Sequence, residues 1–165
     1  MVMTRPSDAA SYERARRLAN IAVWTAKLQR RRLLTREPED GEFLFRRWAD
    51  FQFLIVALIR LRRAASLAAK ISVVADDIRA ALDEFDAALP MLKNMRDVAE
   101  HIDDYALDRG RHKDISRKSL EVAIISETTF RWLEYELNAD MALEAADALF
   151  ASIKRAQKAF PKTFS

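Results

Sequence analysis

Glycine is nearly absent from this chain: Gly41 and Gly110 are the only two in 165 residues. Gly-rich phosphate loops and glycine turns therefore have little to draw on, which weighs against an all-β architecture and a nucleotide-cradling loop. Half of the residues are hydrophobic, enough for a core without disulfides or a structural metal. The length suits one domain over residues 1–165. No internal repeat or low-complexity segment stands out.

Hydrophobic spacing predicts a mainly α-helical bundle of about five helices, with a short β-hairpin before the last. The first helix should start after Ser7, an N-cap behind Pro6. Ala15, Leu18, Ile21, Ala22 and Leu28 recur at helical spacing up to Arg30-Arg31-Arg32. Pro38 to Gly41 reads as a loop. A second helix from about Glu42 to Ala69 carries Phe43, Phe45, Trp48, Phe51, Phe53, Leu54, Ile55 and Val56. Apolar nearly all round, it is either central or covered by a second subunit. A third, from Ser72 to Ala88, has the stripe Ile78, Leu82, Phe85 and Leu89. A fourth, from Pro90 to about Asp108, has the stripe Met91, Met95, Val98, Ile102 and Tyr105, with Gly110 as its stop.

Beyond a basic loop the period changes. Leu120, Val122 and Ile124 alternate with other residues, as do Leu133, Tyr135 and Leu137. That pattern predicts an antiparallel hairpin connected by Ser126 to Thr129. The last helix, capped by Asn138 or Asp140, carries Leu143, Ala146, Leu149, Phe150 and Ile153 and ends at Pro161.

Without cysteine there is no disulfide frame, thiolate metal site or cysteine nucleophile. The residues after Met1 lack the apolar run of a signal peptide. The most apolar stretch, Phe51 to Ile59, is far shorter than a membrane span. These features predict a cytoplasmic protein with no membrane partner. Net charge is +3 and the isoelectric point about 9.3. Arginine outnumbers lysine 20 to 8, which fits either a phosphate-binding surface or the codon bias of a GC-rich genome.

Polar chemistry concentrates in Arg96-Asp97-Val98-Ala99-Glu100-His101. On a helical wheel Arg96 and His101 lie about 140° apart, one on each shoulder of the apolar stripe. Asn94, Asp97, Tyr105 and Asp108 fall beside His101. Asp97, one turn before His101, is placed to accept its second ring proton. Arg96 is suited to a phosphate, and the early turns of a helix favour an anion. The alternative is a solvated helix surface, with Arg96 paired to Glu100 or Asp103 at helical spacing.

Arginine, a polar neighbour, three further residues and histidine together resemble the motif of the HEPN superfamily. That family is an all-α bundle, usually dimeric, and many of its members are metal-independent endoribonucleases in toxin–antitoxin, CRISPR and phage-defence systems. The resemblance implies that Arg96, Asp97 and His101 are the catalytic residues and that RNA is the substrate. It further implies a homodimer whose motif helices form one composite cleft, an antitoxin protein as a possible partner, and no metal or cofactor. Some toxin members carry a tyrosine two residues after the histidine, modified by a partner nucleotidyltransferase. Asp103 stands there in this chain, so that antitoxin system is not implied.

Around the motif, Asn94, Tyr105 and the basic loop Arg109, Arg111, His112 and Lys113 are the expected substrate-binding residues. The loop reads equally well as a cationic helix terminus opposing the dipole. Arg60, Arg62 and Arg63, with Arg30 to Arg32, are candidates to extend an RNA surface. A metal site at Asp97, His101, Asp104 and Asp108 lacks the paired Glu-x-x-His segments of a di-iron bundle, and serine–histidine–acid catalysis lacks a nucleophile turn. Two other functions stay open. One is a non-enzymatic helical interaction protein, in which Arg96 and His101 are screened by Glu100, Asp103 and Asp104. The other is a nucleic-acid-binding bundle whose affinity falls with salt and is insensitive to His101→Ala.

Overall fold

The computed structural model describes residues 6–41 and 45–160. Among the described residues there are six α-helices and a small three-stranded antiparallel sheet. They are α1 (Asp8–Leu34), α2 (Arg46–Ala68), α3 (Ala75–Ala88), α4 (Leu92–Glu100), α5 (Ile102–Ala106), β1 (Ala123–Ile124), β2 (Thr129–Trp132), β3 (Tyr135–Asn138) and α6 (Ala139–Ala156). The buried residues form one continuous hydrophobic core. Among the described residues no helix is long and apolar enough to cross a membrane. The expected start of the second helix at Glu42 and Phe43, and the stop at Pro161, lie outside the described residues.

Ser7 caps α1 as expected, its hydroxyl accepting the Ala10 N–H at 3.2 Å. The buried face of α1 keeps Ala15 and Ala22 of the expected stripe but not its larger members. It is built mostly from small residues (Ala15, Ala19, Ala22 and Ala26), with Tyr12, Val23 and Leu33. Leu18, Ile21, Trp24 and Leu28 point outward instead. Alanine lets the backbones of α1 and α2 approach closely, and this is the most extensive packing in the molecule. Reading the bulkiest apolar residues as core misplaced the face.

Central α2 buries Phe51, Leu54, Ile55, Leu58 and Leu61 and packs on α1, α3, α4 and α6. Phe53 within α2 and Phe45 just before it are exposed, so α2 is not buried on every side. Its start is pinned by a buried guanidinium. Arg46 donates to Asp50 Oδ2 at 3.0 Å, Asp40 Oδ2 at 2.9 Å, and the carbonyls of Arg32 at 3.0 Å and Thr35 at 2.8 Å. Asp40 lies in the 3-10 turn Pro38–Gly41 that replaces the expected loop.

The third expected helix opens as a 3-10 turn, Ser72–Val74, before α3. Its stripe is buried as predicted: Ile78, Leu82, Phe85 and Leu89. The fourth expected helix is two. It starts at Leu92 rather than Pro90, and the backbone leaves helical geometry at His101 (φ −127°, ψ 38°). The kink turns Ile102 outward, 46 % exposed, and Tyr105 inward, fully buried. The helical wheel therefore loses its phase after Glu100.

The expected hairpin is rearranged into three strands: β1 pairs with β2 and not with the segment of Tyr135 and Leu137, and Leu120 and Val122 precede the sheet. Trp132 pairs with Tyr135 across a two-residue turn at Leu133-Glu134, where φ is 54° and 60°. Both residues are left-handed, as in a type I′ turn, which costs a non-glycine residue about 1–2 kcal/mol. Leu133 is itself buried, and its N–H donates to the Ser119 carbonyl at 3.2 Å, which offsets that cost. Leu133 is thus a turn residue and not part of a strand with Tyr135 and Leu137. Phe130 stacks on Phe51 with centroids 4.4 Å apart, and Trp132 meets Trp48 edge-on at 5.0 Å, so the sheet packs against α2. Asn138 caps α6, accepting from the N–H groups of Asp140 and Met141 at 2.9 and 3.0 Å.

Candidate functional site

A cleft of about 440 Å³ lies between the second half of α2, the polar side of α4 and the loop after α5. Ile59, Arg62 and Arg63 of α2 line it, with Lys93, Asn94, Arg96 and Asp97 of α4 and Arg111 and His112 of the loop. Five cationic side chains thus share a concavity with a single carboxylate in its wall. Arg62 makes a fork to Asp86 of α3 at 2.7 and 2.6 Å, and Lys93 reaches the same carboxylate at 3.0 Å. The Arg62 guanidinium holds the Asp86 carboxyl below the usual range, against the opposing effect of burial, with a smaller contribution from Lys93.

Arg96 pairs with Glu100 one turn on, as the solvated-surface alternative expects. Its Nε is buried and has no acceptor among the described residues. The side chains of Arg63 and Arg111 make no hydrogen bond or ion pair among the described residues. The cleft therefore holds one orphaned charged donor and two uncommitted guanidinium groups. Buried donors normally find partners, and a charged donor without one favours an anionic acceptor.

Asp97 faces His112 and not His101. Its Oδ2 lies 3.5 Å from His112 Nε2 and accepts the Tyr105 hydroxyl at 2.9 Å. The Tyr105 hydroxyl oxygen also accepts the His112 backbone N–H at 3.2 Å. Burial raises the Tyr105 phenol above its ordinary value, and the Asp97 carboxylate adds to the effect, so it stays a donor. The loop can close onto Tyr105 because Gly110 lies against the ring. A β-carbon there would stand 2.3 Å from Tyr105 Cδ1. Gly110 is therefore a close-approach glycine. The left-handed residue ending α5 is Asp108 (φ 55°). The N–H groups of Asp108 and Arg109 turn back to the carbonyls of Tyr105 and Asp104 at 3.0 and 2.8 Å, which is a Schellman closure.

The expected site residues divide. Arg96, Asp97, Asn94, Arg111 and His112 come together in the cleft. Tyr105 lies beneath it, fully buried, and is out of reach of a ligand, so its expected contact with substrate becomes a positioning role. His101 is exposed at the kink and its side chain has no hydrogen bond or ion pair among the described residues. His101, Arg109 and Lys113 do not line this cleft. Arg62 and Arg63 extend it as considered, whereas Arg30 and Arg32 are bound to Asp140 and Asp50. Lys93 was missed, although its place three residues before Arg96 puts both on one helical face. Among the described residues no three His, Asp or Glu side chains are placed to hold a metal ion. No protein-family model, curated protein or solved structure matches the chain.

Proposed function

We propose that the cleft holds the phosphodiester backbone of RNA, and that the protein is a metal-independent endoribonuclease of the HEPN type, related to defence or toxicity. The observation that carries this reading is the meeting of Arg96 and Asp97 with Arg62, Arg63, Lys93 and Arg111 from separate segments. Arg96 Nε, buried without an acceptor, suits a phosphoryl oxygen whose charge grows in the transition state. RNA supplies its own nucleophile, the 2′-hydroxyl. Its attack expels the 5′-oxygen and leaves a 2′,3′-cyclic phosphate. The motif resemblance would give the proton transfer to His101, which does not line the cleft.

A homodimer belongs to the same proposal, with an antitoxin protein as a further partner. Leu18, Ile21, Trp24 and Leu28 present an exposed apolar stripe on α1. Arg63 borders both that face and the cleft, so a second copy seated there adjoins the cationic site. The test is cleavage of labelled RNA in EDTA by wild type and Arg96→Ala, with folding checked by circular dichroism. Wild type is expected to yield cyclic-phosphate ends and Arg96→Ala to yield none. Equal cleavage by both variants, or none by wild type across varied RNAs, rejects the reading.

A non-enzymatic interaction protein is the second reading, favoured by the Arg96–Glu100 pair and the apolar stripe of α1. It expects Trp24→Glu to dissociate an oligomer, seen by light scattering, while RNA is neither bound nor cut.

A further inference from the structure

We propose that His112, and not His101, carries the proton in the cleft, with Asp97 and Tyr105 as its positioning residues. The inference rests on the ribonuclease reading and departs from the motif resemblance only in its acid–base group. His112 lines the cleft beside Arg96 and Arg111, whereas His101 does not. The His112 side chain is 31 % exposed, held by packing yet open to a ligand. It is also anchored in three ways. Asp97 Oδ2 stands 3.5 Å from Nε2. The Tyr105 hydroxyl accepts the backbone N–H of His112 at 3.2 Å, fixing the main chain there, while donating to the same Asp97 oxygen at 2.9 Å. The Tyr105 and His112 rings lie within 17° of parallel, with centroids 6.5 Å apart. His101 has no comparable restraint.

A carboxylate 3.5 Å from one ring nitrogen stabilises the imidazolium once it forms. With Asp97 facing Nε2, Nδ1 is the nitrogen left for the substrate. The neutral imidazole takes the 2′-hydroxyl proton at Nδ1 as the 2′-oxygen bonds to phosphorus. The bond from phosphorus to the 5′-oxygen breaks, and the imidazolium returns that proton to the departing oxygen. One strand becomes a 2′,3′-cyclic phosphate end and a 5′-hydroxyl end, with no water, metal or oxidant consumed. The arginines recognise phosphate alone, so a strand with 2′-deoxyribose at the scissile position binds but is not cut.

The experiment measures kcat and KM on labelled RNA in EDTA for wild type, His112→Ala, His112→Gln, His101→Ala and Asp97→Asn, with thermal melts to confirm folding. Both His112 variants are expected to lose roughly 10²–10⁴-fold in kcat with KM near wild type. Added imidazole should restore part of the rate of His112→Ala, which a purely structural role would not allow. His101→Ala should retain wild-type kcat. Asp97→Asn should lower kcat more than it changes KM, without rescue by imidazole. A folded His112→Ala that cuts as fast as wild type, or a loss confined to His101→Ala, overturns this assignment and leaves the ribonuclease reading standing. A wild type that cuts no RNA overturns that reading and this inference with it.

Discussion

Arg46 and Arg96 carry the same guanidinium and stand in opposite conditions. At the start of α2, Arg46 directs its donors to two carboxylates and two backbone carbonyls, and only 8 % of the residue is exposed. Some sixteen residues further along α2, roughly 24 Å on the helix axis, Arg62 and Arg63 open onto the cleft where Arg96 keeps an unused donor. The first cluster locks the end of α1, the following turn and the head of α2 into one arrangement. The second leaves positive charge uncommitted. A cation satisfied from within the chain serves the fold, and one whose donors outnumber its acceptors is available to a ligand.

The strongest way to break this contrast is Arg46→Leu. It strips Asp50, 4 % exposed, of one partner and should cost about 3 kcal/mol, the low end for breaking a buried pair, because Arg32 still reaches Asp50. Denaturant unfolding measures the loss, while RNA affinity per folded molecule should not change. A change in affinity there would erase the distinction between the two clusters.

Gly110→Ala comes next. Its methyl group must displace the buried Tyr105 ring, and overpacking of this kind costs about 1–3 kcal/mol. The displaced loop should also weaken RNA binding, because Arg111 and His112 travel with it. An unchanged melting temperature would show that the loop does not lean on Tyr105.

The double variant Arg63→Ala/Arg111→Ala sharpens the comparison from the other side. Stability should stay within about 0.5 kcal/mol of wild type. RNA affinity should fall, and the salt slope should shrink by about one for each phosphate that is no longer neutralised. Affinity that is unaltered at low salt would remove the cleft from consideration as the nucleic-acid surface.

The smallest effect belongs to Asp86→Asn. Freeing Arg62 and Lys93 from their shared carboxylate should cost under about 1 kcal/mol, since the site is partly solvated, and should tighten RNA binding. Acid makes the same change reversibly. The folded Asp86 carboxyl lies below its unfolded value. Its contribution to stability is therefore whole above the unfolded carboxylate range near pH 4 and is lost as the pH falls through the lower folded value. Circular-dichroism melts of both forms should converge at low pH. Weaker RNA binding by Asp86→Asn would mean that Asp86 organises the cleft more than it neutralises it.

Several features were legible from residue type alone. The caps at Ser7 and Asn138, the buried stripe of α3 and the helical class follow from local rules of spacing and hydrogen bonding. In the cleft, the same reading found Arg96 and Asp97 as a pair and the basic loop as a candidate surface. It failed where neighbours decide. Leu18 and Ile21 look like core, yet the alanines beside them let α2 approach more closely. Leu133 and Glu134 bend into a turn without glycine because burial of Leu133 and the bond to Ser119 compensate for the backbone. His101 looked like Asp97's partner one helical turn on, until the kink ended the helix at that residue.

The order of apolar and polar residues along this chain determined that it would be helical, where the first and last helices would begin, and which segment would concentrate charge beside histidine. Those properties arise within a few residues, where backbone geometry and side-chain spacing act directly. Tertiary structure alone decided which histidine Asp97 meets, since His112 returns to α4 only when Gly110 closes against Tyr105. It also decided which arginines are left over. Whether a guanidinium is committed or available depends on carboxylates that folding brings from distant parts of the chain.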